Sequence, residues 1–428
     1  MRTPSWIVLS LVCCSAGSVG CVGTRTGNPG ALLPDGVELA QSELARITDP
    51  KLSAADSTTF GADNRKLAFD LYGELSKTPG NLFYSPYSIS TALAMTYAGA
   101  RGETATEMAE TLHFSLGQET LHTAFNATDV ALNKRKSELS PSSEQPQTGT
   151  GFELTLVNQA WGQRGYSFLD SYLDVLAQNY GAGLFLLDFG QSEQARTTIN
   201  SWVQEQTKDR IKNLLPPNSI SGRTALVLTN AIYFKASWQQ KFDKSRTAPG
   251  TFHADTGDVS VDMMHHDTKL RYAAIGGTQM LSLPYVSTNV SMLLVLPPQG
   301  EPTLDVATFH ALQTALSEHT VQLSLPKWRF ESENPLKSTL MALGMEAAFG
   351  AADFSGMDGH GGLAISEVYH KAFVAVDEEG TEAAAATAVA LDESASLPVT
   401  IDFDRPFLFA VYDNPTGQIL FFGRVAKP

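Results

Sequence analysis

Residues 374–407 read VAVDEEGTEAAAATAVALDESASLPVTIDFDRPF. A hydrophobic run enters this stretch and another leaves it, and between them lie mainly alanine, threonine, serine and acid. By propensity alone, 378–390 (EEGTEAAAATAVA) predicts a helix, since alanine is the best helix former and glutamates suit a first turn. The flanks oppose that reading. AFVAV (372–376) and VTIDF (399–403) read as strands, and the window has no large apolar face with which a helix could dock. A connection this long with no core of its own is usually functional or disordered.

Read with a period of two, Thr381, Ala383, Ala385, Thr387, Val389 and Leu391 fall on one face. Glu382, Ala384, Ala386, Ala388, Ala390 and Asp392 fall on the other, which carries every charge. A segment written this way can begin as a loop and lie in a sheet, one face covered and the other exposed. Its small side chains would let it slide between strands already paired. A merely small, soluble loop is the competing reading and would not need the alternation.

The 428 residues are 43% hydrophobic and 18% charged, enough for one large globular core or two ordinary ones. A net charge of −15 argues against general affinity for nucleic acid or acidic membranes. The one contrary feature is Lys134-Arg135-Lys136, read here as a solvated helix end.

All three cysteines lie in MRTPSWIVLSLVCCSAGSVGC, the first 21 residues, where Arg2 precedes a short apolar segment. That pattern predicts a secretory signal over 1–20, too short to span a membrane. Ser18-Val19-Gly20-Cys21 resembles a bacterial lipobox, with Ser18 where leucine is usual. The expected location is therefore secreted or a cell-envelope lipoprotein (outer membrane or cell surface), with any membrane contact made through a lipid on Cys21. The mature chain has no cysteine pair for a disulfide. Residues 21–59, rich in Gly, Pro, Thr and Asp with a brief apolar stretch near Val37–Ile47, read as a flexible tether.

From Phe60 onward the pattern is dense. Leu67, Leu71 and Leu75 keep helical spacing until Pro79-Gly80-Asn81, and Ser85-Pro86 opens a helix apolar nearly all round, hence buried. GETATEMAETLHF, FLDSYLDVLAQNYG and TTINSWVQEQTKDRIKNLL (197–215) read as further helices, and 140–151 as a polar loop. After Pro217 strands dominate: TALVLTNAIYF, MLSLPYV, VSMLLVLP, VQLSLPKWRF, FLFAVYD and QILFFGRV. A helix-rich first half joined to a strand-rich second half predicts one mixed α+β domain over 60–428.

Enzyme signatures are missing. There is no G-x-S-x-G elbow, H-E-x-x-H, phosphate loop or zinc-type cysteine pair. His265 and His266 are neighbours on an extended chain and point to opposite faces, so they do not readily share an ion. No catalytic residue, metal or cofactor is expected.

Several segments in order resemble the serpins, covering about residues 60–428. NLFYSPYS (81–88) is similar to their buried shutter, TNAIYFKASW (229–238) to the strand ending in their breach tryptophan, and HKAFVAVDEEGTEAAAA (370–386) to their hinge. ADFSGM, LPKWRF and DRPFLFAVYD match further family segments. The resemblance implies an α+β fold with three sheets, about eight or nine helices and an exposed reactive loop. It also implies a protein that is not an enzyme but a monomeric suicide substrate for a serine protease. The protease is acylated on the loop, the loop inserts into the main sheet, and the trapped enzyme cannot deacylate.

By position, Glu378, Gly380, Thr381 and Ala383, Ala384, Ala385 and Ala386 correspond to the hinge. Ser85, Ser88, Asn230 and His370 correspond to the shutter, and Trp238 and Lys327 to the breach, with an exposed Glu378–Lys327 pair expected at the loop base. Spacing from Glu378 places the reactive bond at Ser394-Ala395. Counting back from Pro406 moves it to Ala395-Ser396, and Glu393 is a third candidate for the residue before the cut. No Lys or Arg lies between Lys371 and Arg405, so elastase-like or subtilisin-like proteases are favoured over trypsin-like ones, with a cysteine protease as a further candidate. The competing function is a non-inhibitory serpin acting as a binding or chaperone protein. Such members tend to carry bulky, charged or proline residues in the hinge.

Overall fold

The computed structural model describes residues 33–135, 152–286, 289–298, 304–381 and 397–428. Cys21 and the rest of the leader, Lys136, the loop at 140–151, Ala383–Ala386 and the candidate bond residues Glu393, Ser394, Ala395 and Ser396 lie outside them.

Sixteen strands form among the described residues. A seven-stranded sheet runs in spatial order β1 (Glu38–Ala40), β4 (Leu184–Leu187), β3 (Phe152–Gln163), β5 (Leu226–Ser237), β13 (Gly380–Thr381), β12 (Ile365–Asp377) and β11 (Trp328–Pro335). A nine-stranded network runs β14 (Val399–Asp402), β10 (Ser317–Pro326), β7 (Gly257–Ile275), β8 (Thr278–Pro284), β9 (Val290–Leu296), β15 (Phe407–Asp413), β16 (Gln418–Val425) and β2 (Leu82–Tyr84), with β6 (Ala248–Ala254) on β7. The strands expected in three sheets thus pair into two networks. The 19-residue β7 joins two of the three, pairing with β6 and β10 along most of its length and with β8 at its end.

Nine α-helices accompany them among the described residues: α1 (Ala54–Leu75), α2 (Pro86–Tyr97), α3 (Gly102–Thr111), α4 (Gln118–Arg135), α5 (Asp170–Val175), α6 (Ser192–Gln206), α7 (Val306–Ala315), α8 (Lys337–Ala342) and α9 (Ser355–Asp358). The all-round apolar α2 is buried at every position but Thr91. Ser85 caps it, its Oγ accepting from the Ser88 N–H at 3.1 Å, and Pro86 fills the first turn, where no amide donor is needed. On the seven-stranded sheet, Ile199, Trp202 and Val203 of α6 pack with Trp161 of β3, Val227 and Ala231 of β5, and Tyr369 of β12. One helix therefore covers the junction of β5 and β12.

Three expectations need correction. Residues 33–59 are not a flexible tether. The brief apolar stretch supplies β1, which pairs antiparallel with β4; Arg46 bridges to Asp129 at 2.7 Å, and Asn126 Nδ2 donates to the Ile47 carbonyl at 2.8 Å. α1 begins at Ala54, capped by Ser53. The helix read through Leu215 stops at Gln206, because Lys208, Asp209 and Asn213 adopt left-handed backbone. Ile211, Leu214 and Leu215 then turn into the α6–sheet core. Among the described residues α4 spans Gln118–Arg135, and Arg135 is not in solvent: its guanidinium pairs with buried Asp413 at 3.0 Å.

Candidate functional site

Strand register brings three polar side chains into one rung. Asn230 on β5 faces Asn158 on antiparallel β3 and His370 on parallel β12. Asn230 Nδ2 donates to Asn158 Oδ1 and to Ser88 Oγ, both at 2.6 Å, and Ser88 Oγ donates to Asn158 Oδ1 at 2.8 Å. Ser85 Oγ donates to the Leu420 carbonyl at 2.6 Å. The four expected shutter residues are all buried and share one network.

His370 fixes its own protonation state through its partners. Its Nε2 accepts the Ser85 backbone N–H at 3.1 Å, so the proton of the neutral ring sits on Nδ1, which donates to Asn230 Oδ1. Burial lowers its pKa to about 3. A protonated ring would set an N–H against the Ser85 N–H.

Higher up, β5 and β12 part. They pair in parallel from Leu226/Ile365 to Ile232/Ala372, and above that point β13 lies between them. Gly380 and Thr381 are opposite Ser237 and Ala236 on β5, and opposite Asp377 and Val376 on β12, antiparallel on both sides. The first residues of the 380–391 segment already occupy the sheet.

The turn into β13 is cradled by the residues following β5. Trp238 Nε1 donates to the Asp377 carbonyl at 3.0 Å, the Phe242 N–H to that of Glu378 at 2.9 Å, and the Trp238 N–H to that of Glu379 at 3.0 Å. Three successive carbonyls are thereby satisfied, as a buried turn requires. Gly380 has φ +151°, and a Cβ there would run into the Ala236 carbonyl oxygen, so only glycine fits. Trp238 stacks on Tyr285, ring centroids 4.7 Å apart, and the Tyr285 hydroxyl meets Thr381 Oγ1 at 2.9 Å.

A family profile for "Serpin (serine protease inhibitor)" matches residues 62–428. The chain belongs to the serpin family. An uncharacterized serpin-like protein of Thermococcus kodakarensis is 42% identical over 370 residues, 84% of each chain. The leukocyte elastase inhibitor of Homo sapiens is 37% identical over 386 residues, 85% of this chain and 98% of its own. The crystal structure of tengpin, a thermophilic serpin in the native state, superposes with a TM-score of 0.78 at 28% identity, covering 91% of this chain and all of its own.

In this serpin, charge secures the turn into β13 twice. Glu378 Oε1 lies 3.4 Å from Lys327 Nζ and accepts from Thr247 Oγ1 at 2.8 Å; its side chain is only 7% exposed, so the pair is not the exposed one expected from sequence. Burial raises the pKa of Glu378, but bonds from its own backbone N–H and Thr247, and the Lys327 ammonium, outweigh that and leave it below the ordinary value. Glu379 meets Lys244 at 2.7 Å and Lys241 at 3.0 Å, and it too is lowered: burial raises it, and the two lysines overcome that.

Reading the sequence missed Asn158, Tyr285, Lys241, Lys244 and Thr247. β3, the strand carrying Asn158, was overlooked altogether. An asparagine midway through FELTLVNQAWGQ was the available signal for a polar rung. Nothing local marked the lysines. Among the described residues no cluster of His, Cys, Asp and Glu could hold a metal ion, and no helix is long and apolar enough to cross a membrane.

Proposed function

We propose that this serpin inhibits a serine protease as a suicide substrate. The protease serine attacks the carbonyl before the reactive bond, at Ser394 or Ala395 with Glu393 as alternative, forming an acyl ester as the new amino terminus at Ala395 or Ser396 leaves (Ser394 if the cut follows Glu393). The loop then extends β13 down the β5–β12 junction, carrying the esterified protease with it. Distortion of the protease site stops deacylation.

The observation that carries the reading is β13 itself. Gly380 and Thr381 are already strand residues between β5 and β12, so insertion continues a ladder already begun. Extension replaces a parallel junction by two antiparallel ones, the more favourable pairing. Roughly ten new backbone bonds at about 0.5–1.5 kcal/mol each would supply the drive. The alternating small residues after Thr381 oppose a non-inhibitory binding or chaperone role, since they give insertion nothing bulky to bury.

Small residues at the candidate bond fit a shallow specificity pocket, and the human relative is named for inhibiting leukocyte elastase, which favours an elastase-like or subtilisin-like target. A cysteine protease remains a second class of target. The reading takes the inhibitor as a monomer, secreted or held at the envelope through a lipid on Cys21. The test is incubation with an elastase and a subtilisin, followed by denaturing electrophoresis. An adduct that survives SDS is expected; a cut loop without adduct overturns inhibition. The mass of the released C-terminal peptide assigns the bond: a start at Ala395 or Ser396 supports the small-residue reading, and a start at Ser394 assigns Glu393.

A further inference from the structure

Three consecutive residues of β7 carry the segment that cradles the turn into β13. His266 packs its ring on Phe242, centroids 5.1 Å apart; Asp267 pairs with Arg246 at 2.7 Å; and Thr268 Oγ1 donates to Gln240 Oε1. Phe242 is the residue whose N–H holds the Glu378 carbonyl at 2.9 Å, so the ring contact supports that turn through a single residue.

A histidine is out of pattern at this position. Alternation along β7 puts it on the face of Met264, Thr268 and Leu270, all buried, and opposite buried Leu323 of β10. Its Nε2 is buried without a hydrogen-bond partner among the described residues, although a buried polar atom normally finds one. His265 points to the other face, where its Nδ1 meets Ser324 Oγ at 3.2 Å. An apolar ring at 266 would leave nothing unpaired; what histidine adds is a titratable charge.

The surroundings oppose that charge. Arg246 adjoins the ring; Lys241 and Lys244, in the same segment, are held by Glu379, and Lys327 by Glu378. Asp243 is bonded to Ser245, and Asp267, the adjoining carboxylate, is already paired with Arg246. Burial first, and Arg246 after it, lower the pKa of His266 from its ordinary value against the opposing pull of Asp267.

We propose that His266 is an acid-sensitive latch on the turn into β13: when its ring takes a proton it leaves Phe242, and the segment from Trp238 to Thr247 loosens its hold on the Glu378 and Glu379 carbonyls. A ring freed from Phe242 binds a proton at the ordinary value near 6.5, and the packed ring only below that. Acid therefore favours the loosened turn, by up to about tenfold per pH unit across the interval between the two values. The pKa values of Glu378 and Glu379 lie below 4.5, so their lysine pairs persist at pH values where the ring contact is given up. One consequence rests on the inhibitory reading above. A loosened turn leaves the start of the β13 ladder less fixed, so acid shifts the outcome from trapped protease toward cut loop.

The test is hydrogen exchange of the full chain between about pH 7 and pH 5, read at the amides of Trp238 and Phe242 with intrinsic exchange rates divided out. Wild type is expected to lose protection there on acidification, by up to about tenfold per pH unit. His266→Phe, which keeps a ring on Phe242 but cannot titrate, should hold constant protection, and His265→Gln should follow wild type. Constant protection in wild type, or the same pH dependence in wild type and His266→Phe, overturns the assignment. Where phenylalanine impairs folding, His266→Gln serves the same comparison. The imidazole resonances of His266 give a second measure: a midpoint below 6.5 is expected, and one at or above it overturns the latch. Exchange is read without a protease, so a wild type that forms no adduct removes the inhibitory reading and the consequence for trapping, while the exchange result decides the latch by itself.

Discussion

The hydroxyl of Tyr285 meets Oγ1 of Thr381 at 2.9 Å, in a site where both residues are buried and the Tyr285 ring stacks on Trp238. This contact secures Thr381 of β13 between β5 and β12. Thr381→Arg would force an unpaired guanidinium against Tyr285, a burial too costly to sustain. The expected result is a protein still cleaved by its target but with the covalent adduct lost on SDS gels. An undiminished adduct would show that entry at this point is not needed for trapping.

Cleavage should raise stability. The β5–β12 junction below Ile232 and Ala372 is a parallel pairing that insertion would replace with a completed antiparallel one. About ten added bonds at 0.5–1.5 kcal/mol net each predict a thermal midpoint more than about 10 °C higher after a nick in the loop. Equal midpoints for intact and nicked protein would mean that the loop does not insert.

Glu378→Lys would set two ammonium groups at the turn that Lys327 now neutralises. Slower refolding and more polymer on native gels are expected, because the top of the sheet loses the charge that holds its register. Wild-type refolding without polymer would show that the Thr247 and backbone bonds suffice. The lowered pKa values of Glu378 and Glu379 mean that their contribution is complete above the unfolded value near 4.5 and is lost as pH falls through the folded values.

His370 should give stability a slope at higher pH. The unfolded ring takes a proton as pH falls through about 6.5, while the folded ring stays neutral until about 3. Between those values the unfolded state binds the extra proton, so stability declines with acid by up to about 1.4 kcal/mol per pH unit for this group. His122, lowered to about 4 by burial, and His266, also lowered mainly by burial, act in the same direction; His253, raised by its bond to Asp258, acts oppositely. Urea unfolding of His370→Gln between pH 6 and pH 4.5 is expected to show a slope shallower by that amount. An unchanged slope would place the acid sensitivity elsewhere.

Arg135→Ala would leave the buried Asp413 carboxylate without its guanidinium. Breaking a buried pair on one side costs about 3–5 kcal/mol, so a clearly lower urea midpoint is expected. A loss under about 1 kcal/mol would return this residue to the role of a solvated helix end.

Local signals in the sequence determined a good deal: the Ser85-Pro86 start of α2, its all-round burial, the strands flanking the alanine-rich segment, and the positions of Asn230, His370 and Trp238. Each depends on residues a few positions apart, where capping, alternation and a run of family motifs act. Only the tertiary structure decided that β13 stops the β5–β12 pairing at Ile232 and Ala372, that Lys241 and Lys244 hold Glu379, that residues 33–53 dock along β4 and α4, and that Arg135 is buried. Those outcomes rest on partners distant in sequence, such as Ile47 with Asn126, Lys241 with Glu379 and Arg135 with Asp413. An isolated lysine, or a glycine- and proline-rich leader, has no local preference that distinguishes a docked position from a solvated one. The deciding free energy comes from the backbone bonds and buried charges that the assembled sheet supplies.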